Sequence, residues 1–375
     1  MARTAFLCSE AMWGRGHGEG HPLKPERLRR TWELLRSCRA FDAPGSRLVE
    51  PAPATREELT LFHSEEYVEA VALLSRGEGD VDPGRYGFGP GDNPVFEGMF
   101  ETEALKAGGA LTGVRLLLSG EADTAFSFAG GFHHARPQRA SGFCVFNDAA
   151  AAIAWLTARG RRVAYVDVDV HHGDGVQAAF YETDRVLTVS LHQDPHTLFP
   201  GTGFPEETGA GAGQGFSANV PLPPCTTDDV YLWAFRQVVP PLVRRFAPDV
   251  LVTQLGVDTH FADPLARLLL TTRGYVQVVE ELKVLAALTA GWLSLGGGGY
   301  SLNVVPRAWT LAYGVMGDLS LPEEFPVEYA AAYGPGSLHD LRGPDVEPAI
   351  VELTWECARA SVDGLRRSLG AAWPG

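Results

Sequence analysis

Apolar positions along this chain follow two spacings in turn. Short runs rich in β-branched and aromatic residues occur at 126–128, 162–166, 186–191, 250–255 and 292–295, and each reads as a buried strand. A further short strand is expected within residues 1–24. Between the runs the spacing becomes helical. Residues 25–39 carry Leu28, Trp32 and Leu35 as one stripe, with Pro25 opening the first turn. A helix starts after Ser64, which stands as N-cap ahead of Glu65 and Glu66. Residues 96–119 read as a long helix broken at Gly108-Gly109. Helices are also expected over 149–159, 175–181, 228–246, 272–290, 306–316 and 347–369. The stretches 77–94, 192–227 and 321–345 read as loops.

Strands that alternate with helices imply an α/β fold, a mostly parallel central β-sheet with helices on both faces. Neither an internal repeat nor a linker interrupts residues 1–375, so they read as a single domain. In such folds the site lies beyond the carboxyl ends of the strands. His133-His134, Asp169 with His171, Asp258 and Tyr300 all fall at such ends.

Composition narrows the partners. The formal net charge is −15, which argues against a basic nucleic-acid footprint. An acidic surface suits cationic partners such as Lys-rich peptides or polyamines, or serves solubility alone. The five cysteines form no C-x-x-C pair, which points to a reducing cytoplasm and away from a disulfide framework or thiolate zinc site. No signal peptide, membrane span or direct nucleic-acid binding is expected, and a monomer is favoured.

The densest chemistry is Asp167-Val168-Asp169-Val170-His171-His172-Gly173-Asp174, which closes the run 162–166. Strand alternation places Asp167, Asp169 and His171 on one face and Val166, Val168 and Val170 on the other. Unpaired and buried, those carboxylates would cost several kcal/mol each, on the order usual for buried ions. A cation relieves that cost. Asp258 ends another strand, and three protein ligands with an open fourth position make a catalytic metal site. The donors suit Zn²⁺, with Fe²⁺ and Mn²⁺ open. The alternative is a strand end with solvated Asp residues and a satisfied His.

His133-His134 lies between Gly130-Gly131 and Ala135, and Asp167 and Asp174 could orient the two rings as His–Asp pairs. His17 and His21, in the Gly-rich segment 14–21, read as mobile-loop histidines rather than ligands. Gly296–Gly299 lacks the Lys and Ser/Thr of a phosphate loop, so the glycines read as a tight turn or narrow channel. Tyr300 is then either an oxyanion donor or a packed aromatic. Phe143 and Phe199 either line a slot or pack in the core.

These residues carry a resemblance. Gly130-Gly131-Phe132-His133-His134-Ala135, Gly142-Phe143-Cys144-Val145-Phe146-Asn147-Asp148, the Asp-x-Asp-x-His-His-Gly-Asp run, Val189-Ser190-Leu191-His192, Phe199-Pro200-Gly201-Thr202-Gly203 and Gly296 to Tyr300 resemble the zinc-dependent histone deacetylase family. So do His21-Pro22-Leu23-Lys24-Pro25 and Asp92-Asn93-Pro94-Val95-Phe96. Asp258-Thr259-His260 and Val304-Val305-Pro306-Arg307-Ala308-Trp309 resemble its bacterial acetoin-utilisation branch.

The resemblance implies the arginase/deacetylase fold and hydrolysis of an acetylated amine by metal-activated water. It implies Asp169, His171 and Asp258 as zinc ligands, His134 as general base, and His133 as its electrostatic partner, with Asp174 and Asp167 behind them. Tyr300 would bind the acetyl carbonyl, and Phe143 and Phe199, with Gly142 and Leu265, would flank the acyl-lysine chain. Asp92 would grip the substrate backbone at the rim, and Arg27 would line an interior channel. A structural K⁺ would sit near Asp167, Asp169, His171, Ser190 and Leu191. The implied substrate is acetyl-lysine in proteins, with acetyl-coenzyme A synthetase among the targets. The alternatives are an acetylpolyamine deacetylase and a non-catalytic acyl-lysine-binding protein. The sequence departs from the animal enzymes at Asn93, where they carry Cys, and at Val257 and His260-Phe261, where they carry smaller residues.

Overall fold

The computed structural model describes residues 3–374. Its amino-terminal half runs β1 (Thr4–Leu7), α1 (Glu26–Ser37), β2 (Ser46–Val49), α2 (Arg56–Leu59), α3 (Glu65–Arg76), α4 (Met99–Leu118), β3 (Thr124–Ser127), α5 (Asp148–Thr157) and β4 (Val163–Asp167). There follow α6 (Asp174–Phe180), β5 (Val186–Gln193), β6 (Ser217–Leu222), α7 (Asp228–Phe246), β7 (Val250–Gln254), α8 (Thr272–Ala286) and β8 (Trp292–Leu295). The chain continues through α9 (Val305–Gly317), α10 (Val327–Tyr333) and α11 (Pro348–Leu369).

The strands form one eight-stranded sheet in the order β2-β1-β3-β8-β7-β4-β5-β6, parallel at every pairing. Both faces are covered, as an all-parallel sheet requires. Ala164 and Val166 of β4 enter one apolar cluster with residues of α1, α7, α8, α9 and α11. Val163 and Tyr165 enter another with residues of α4 and α5.

β6 and α10 fall inside the stretches 192–227 and 321–345, which were expected to be loop, and β2 falls where no element was expected. β2 reads Ser-Arg-Leu-Val and is half exposed, and β6 carries Pro221, which a sheet tolerates at an edge. Neither has an apolar run to announce it. α4 also differs from expectation, running unbroken through Gly108-Gly109. These glycines serve close packing: a Cβ on Gly108 would lie 2.0 Å from the Ala52 carbonyl oxygen, and one on Gly109 2.5 Å from Ser127 Oγ. Elsewhere local chemistry agrees with the reading, as where Ser64 Oγ accepts the Tyr67 N–H and caps α3.

Candidate metal centre and active site

Four neighbouring strands of the sheet, β3, β8, β7 and β4, deliver their carboxyl ends to one place. β4 ends at Asp167, so Asp169 and His171 stand on the chain just beyond it. The alternation persists there: Val168 and Val170 join Val166 in the core while Asp169 and His171 face the opposite way. β7 leads to Asp258, and β8 to Gly296 through Tyr300.

Candidate ligand atoms of Asp169, His171 and Asp258 lie within 4.8 Å of one another, and all three residues are buried. His171 Nδ1 lies 3.0 Å from Asp169 Oδ1 and 3.2 Å from Asp258 Oδ2. Asp169 Oδ2 accepts from Gln254 Nε2 at 2.6 Å and from the Gly298 N–H at 2.8 Å. Asp258 Oδ1 accepts the Val170 N–H at 2.9 Å, whereas its buried Oδ2 accepts no hydrogen bond, the nearby His171 Nδ1 being bonded to Asp169 Oδ1. Burial, and then the charge of Asp169, raise Asp258 to about 6. Gly298 keeps the space clear, since a Cβ there would lie 2.0 Å from Asp258 Oδ2. Converging carboxylates, one with an oxygen that accepts no hydrogen bond, around room that a side chain would fill suit a divalent cation held by oxygen and nitrogen.

The adjacent histidines meet separate carboxylates. His133 Nδ1 is 2.7 Å from Asp167 Oδ2, and His134 Nδ1 is 2.7 Å from Asp174 Oδ1. Their Nε2 atoms approach to 3.0 Å. Burial opposes charge on His133, but Asp167 and Asp169 outweigh it and raise the ring to about 9. Burial, and then His133, lower His134 to about 3. His134 is therefore neutral, with Nδ1–H donating to Asp174 and Nε2 left as the acceptor.

These groups open on a narrow cleft of about 20 Å³, lined among others by Leu23, Arg27, Gly142, Phe143 and Tyr300. Phe143 holds a left-handed backbone, φ 68°, with its ring 5.8 Å from that of Tyr300. Phe199 is 45% exposed, its ring 5.0 Å from His134 and 6.4 Å from His171. Gly142 keeps the slot open, because a Cβ there would lie 2.5 Å from the His134 ring. The Tyr300 N–H donates to Asp263 Oδ2, and burial followed by Asp258 and Asp169 holds its phenol well above the ordinary value. Arg27 is buried at the cleft floor and donates to the carbonyls of Gly297 and Gly299.

Asp92 is exposed, and its carbonyl accepts from His21 Nε2. Leu265 is 36% exposed, lies outside the cleft lining, and donates its N–H to Asp263 Oδ1. Ser190 pairs with Asp167 in the sheet register, and Leu191 is buried in the core. His17 and His21 depart from the mobile-loop reading. Both are buried, their rings stack at 4.4 Å, and His21 meets Phe143 edge-on at 4.6 Å. Ring packing holds them in place, with His21 against the cleft-lining Phe143.

Other supports escaped the sequence reading. Gln254 holds Asp169, and the Tyr165 hydroxyl donates to Asp167 at 2.6 Å. Asp148 accepts the N–H groups of Gly131 and Phe132, which sets the turn before His133. Asp340, 82 residues beyond Asp258, accepts from His260 Nε2, the Thr272 N–H and the Arg307 guanidinium. Gln254, Asp148 and Asp340 are ordinary polar residues whose partners are remote in the chain, so no local spacing marks them, whereas Tyr165 stands two residues from Asp167.

Asp340 yields a pH prediction. Burial alone would raise its carboxyl, but the His260 and Thr272 hydrogen bonds, with Arg307, bring it well below the usual range. A depressed folded pKa stabilises the protein above the unfolded value of about 3.9, and the benefit is lost as pH falls through the folded one. Asp340→Asn should therefore lower Tm at pH 7, and the gap to wild type should close as the pH is taken below about 4. Parallel thermal melts across that range check it.

Comparison with known proteins bears on this arrangement. The histone deacetylase domain matches residues 21–316. The chain is 41% identical over 334 residues to the acetoin utilization protein AcuC of Bacillus subtilis (strain 168), covering 88% of this chain and 86% of that protein. It is 38% identical over 323 residues to Homo sapiens histone deacetylase 1, covering 85% of this chain and 66% of that one. Among solved structures it resembles an HDAC homolog from Aquifex aeolicus, with TM-score 0.85, 30% identity, and 95% of this chain and 100% of that chain covered. An HDAC homolog complexed with SAHA gives TM-score 0.84 and 32% identity over 96% of this chain and 100% of that one.

Proposed function

Because the chain belongs to the histone deacetylase family, we propose that it removes acetyl groups from acetyl-lysine in proteins by zinc-dependent hydrolysis. One observation carries the reading: a neutral His134 and Tyr300 share one cleft with the triangle of Asp169, His171 and Asp258, in which Asp258 Oδ2 accepts no hydrogen bond. Zn²⁺ is the proposed metal, and Fe²⁺ fits the same donors. Bound there, the cation would act as a Lewis acid and make a water more acidic.

The chain's own groups do the rest. His134 Nε2 takes a proton from the attacking water and returns it to the leaving amine. Asp174 keeps the ring in that tautomer, and a charged His133, held by Asp167, sets positive charge beside it. Tyr300 donates its hydroxyl to the acetyl oxygen as charge develops. The C–N bond breaks and a C–O bond forms, giving acetate and a free amine. Phe143 and Phe199 flank the methylenes across Gly142, Leu265 stands at the outer rim, Asp92 grips the substrate backbone, and Arg27 lines the interior channel. A structural K⁺ is proposed at Asp167, Asp169, His171, Ser190 and Leu191.

Residues 1–375 are proposed as one catalytic domain, acting as a monomer in the cytoplasm. All five cysteines are free, as a reducing compartment allows, and among the described residues no helix is long and apolar enough to cross a membrane. The proposed targets are acetylated enzymes such as acetyl-coenzyme A synthetase. The exposed rim at Phe199, Leu265 and Asp92 favours a polypeptide over a small diamine.

The test is turnover of an acetyl-lysine peptide against acetylputrescine by zinc-loaded protein. The peptide should be the better substrate, and His134→Ala should cost at least ~10²-fold in rate. Preference for acetylputrescine would make this a polyamine deacetylase. Turnover of neither would leave a binding protein, and an unimpaired His134→Ala would remove the base assignment.

A further inference from the structure

The contacts of the carboxylate behind His134 continue outward to a residue without an assigned part. Asp174 Oδ1 takes the His134 Nδ1–H, and its Oδ2 takes an N–H of Arg136 at 2.6 Å. The Asp174 side chain is 8% exposed, whereas that of Arg136 is 34% exposed. Outside the pair lies a surface cavity of about 460 Å³, bordered by Tyr181, Glu182 and Thr202. Three groups, imidazole, carboxylate and guanidinium, thus run from the cleft to solvent.

The backbone under Arg136 is clamped. Its N–H donates to the Arg139 carbonyl at 2.9 Å, and its own carbonyl accepts His63 Nδ1–H at 3.1 Å. His63 Nε2 accepts the Asn147 N–H, and Asn147 Nδ2 donates to the Ala135 carbonyl. Gly175 lets α6 press against this strip, since a Cβ there would lie 2.5 Å from the His133 carbonyl oxygen. The guanidinium therefore reaches Asp174 from a fixed base.

We propose that Arg136 is a positioning residue for the deacetylation, acting through Asp174. A carboxylate held at one oxygen only can turn about its terminal torsion, which is soft. A charge-assisted bond at the second oxygen fixes its plane and keeps Oδ1 on the His134 Nδ1–H. Arg136 touches neither substrate nor reacting atoms, so its effect lies in how often His134 is presented correctly. Supporting partners of this kind are typically worth ~10–100-fold.

The inference rests on His134 as the base, and the experiment separates the two. kcat and KM are measured with the acetyl-lysine peptide for wild type, Arg136→Met, Asp174→Asn and the double variant, with melting temperature recorded for each. Arg136→Met should lower kcat about 10-fold with KM unchanged. In the Asp174→Asn background it should cost nothing more, because the two act as one unit. Arg136→Ala should recover rate on addition of millimolar guanidinium, which the open cavity admits.

A readout independent of turnover is the His134 Nδ1–H proton signal of the metal-free protein. It should exchange faster with solvent in Arg136→Met than in wild type. Wild-type kcat in Arg136→Met beside an impaired Asp174→Asn would overturn the proposal, as would full additivity in the double variant. If Arg136→Met does not fold, Arg136→Gln carries the same cycle. Wild-type turnover in His134→Ala would instead overturn the base assignment.

Discussion

Asp258→Asn is expected to abolish turnover and, with it, the thermal stabilisation that zinc gives the wild-type protein. The substitution preserves shape but removes the charge whose outer oxygen accepts no hydrogen bond inside the protein. An amide there can present its NH₂ group toward the cation position, where a donor is of no use. Changes to groups that merely support metal ligands cost 10–100-fold, so loss of a ligand should exceed ~10²-fold in rate. The binding readout does not depend on catalysis. A metal that binds the folded state raises Tm by mass action, so zinc added to stripped wild type should shift the melt upward, and zinc added to stripped Asp258→Asn should shift it little or not at all. An equal shift in both would remove Asp258 from the ligand set. Full activity of stripped wild-type protein would remove the metal from the mechanism.

Tyr300→Phe is the second large effect, and it falls on kcat. The hydroxyl stands at the cleft on a backbone held by Asp263, and its raised pKa keeps it a proton donor at neutral pH. A donor whose bond strengthens as the acetyl oxygen gains charge raises kcat more than it lowers KM. Removing one such donor typically costs ~10²–10³-fold, about 3–4 kcal/mol. Phenylalanine keeps the ring against Phe143, so Tm and zinc content should stay near wild type. kcat, KM and bound zinc measured together make the check. Wild-type kcat would show that Tyr300 only packs.

The sheet illustrates how far pattern alone reaches. β3, β4, β5, β7 and β8 are apolar runs, because parallel strands buried on both faces have little room for polar side chains. The edge strands β2 and β6 lack that constraint: β6 reads as loop, and β2 carries no strand signal. Gly108-Gly109 looked like a break in α4 because glycine's cost is local, whereas its benefit here is the approach of Ala52 and Ser127 from elsewhere in the chain.

The amino-acid sequence by itself determined the α/β alternation, the family, and the groups at the strand ends, because each depends on neighbours a few residues apart. Asp169 and His171 share a face by alternation, and His133 and His134 are adjacent. The tertiary structure decided what those groups can do. It set Asp258 beside His171 from 87 residues away, left Asp258 Oδ2 without a hydrogen bond, and gave the two histidines different charge states: burial and the neighbouring His133 lower His134, while Asp167 and Asp169 outweigh burial and raise His133. It also brought in Gln254, Arg136 and Asp340, whose types are common and whose partners lie elsewhere in the chain. Burial and proximity set proton positions and charge, and both arise only when the strand ends are assembled side by side.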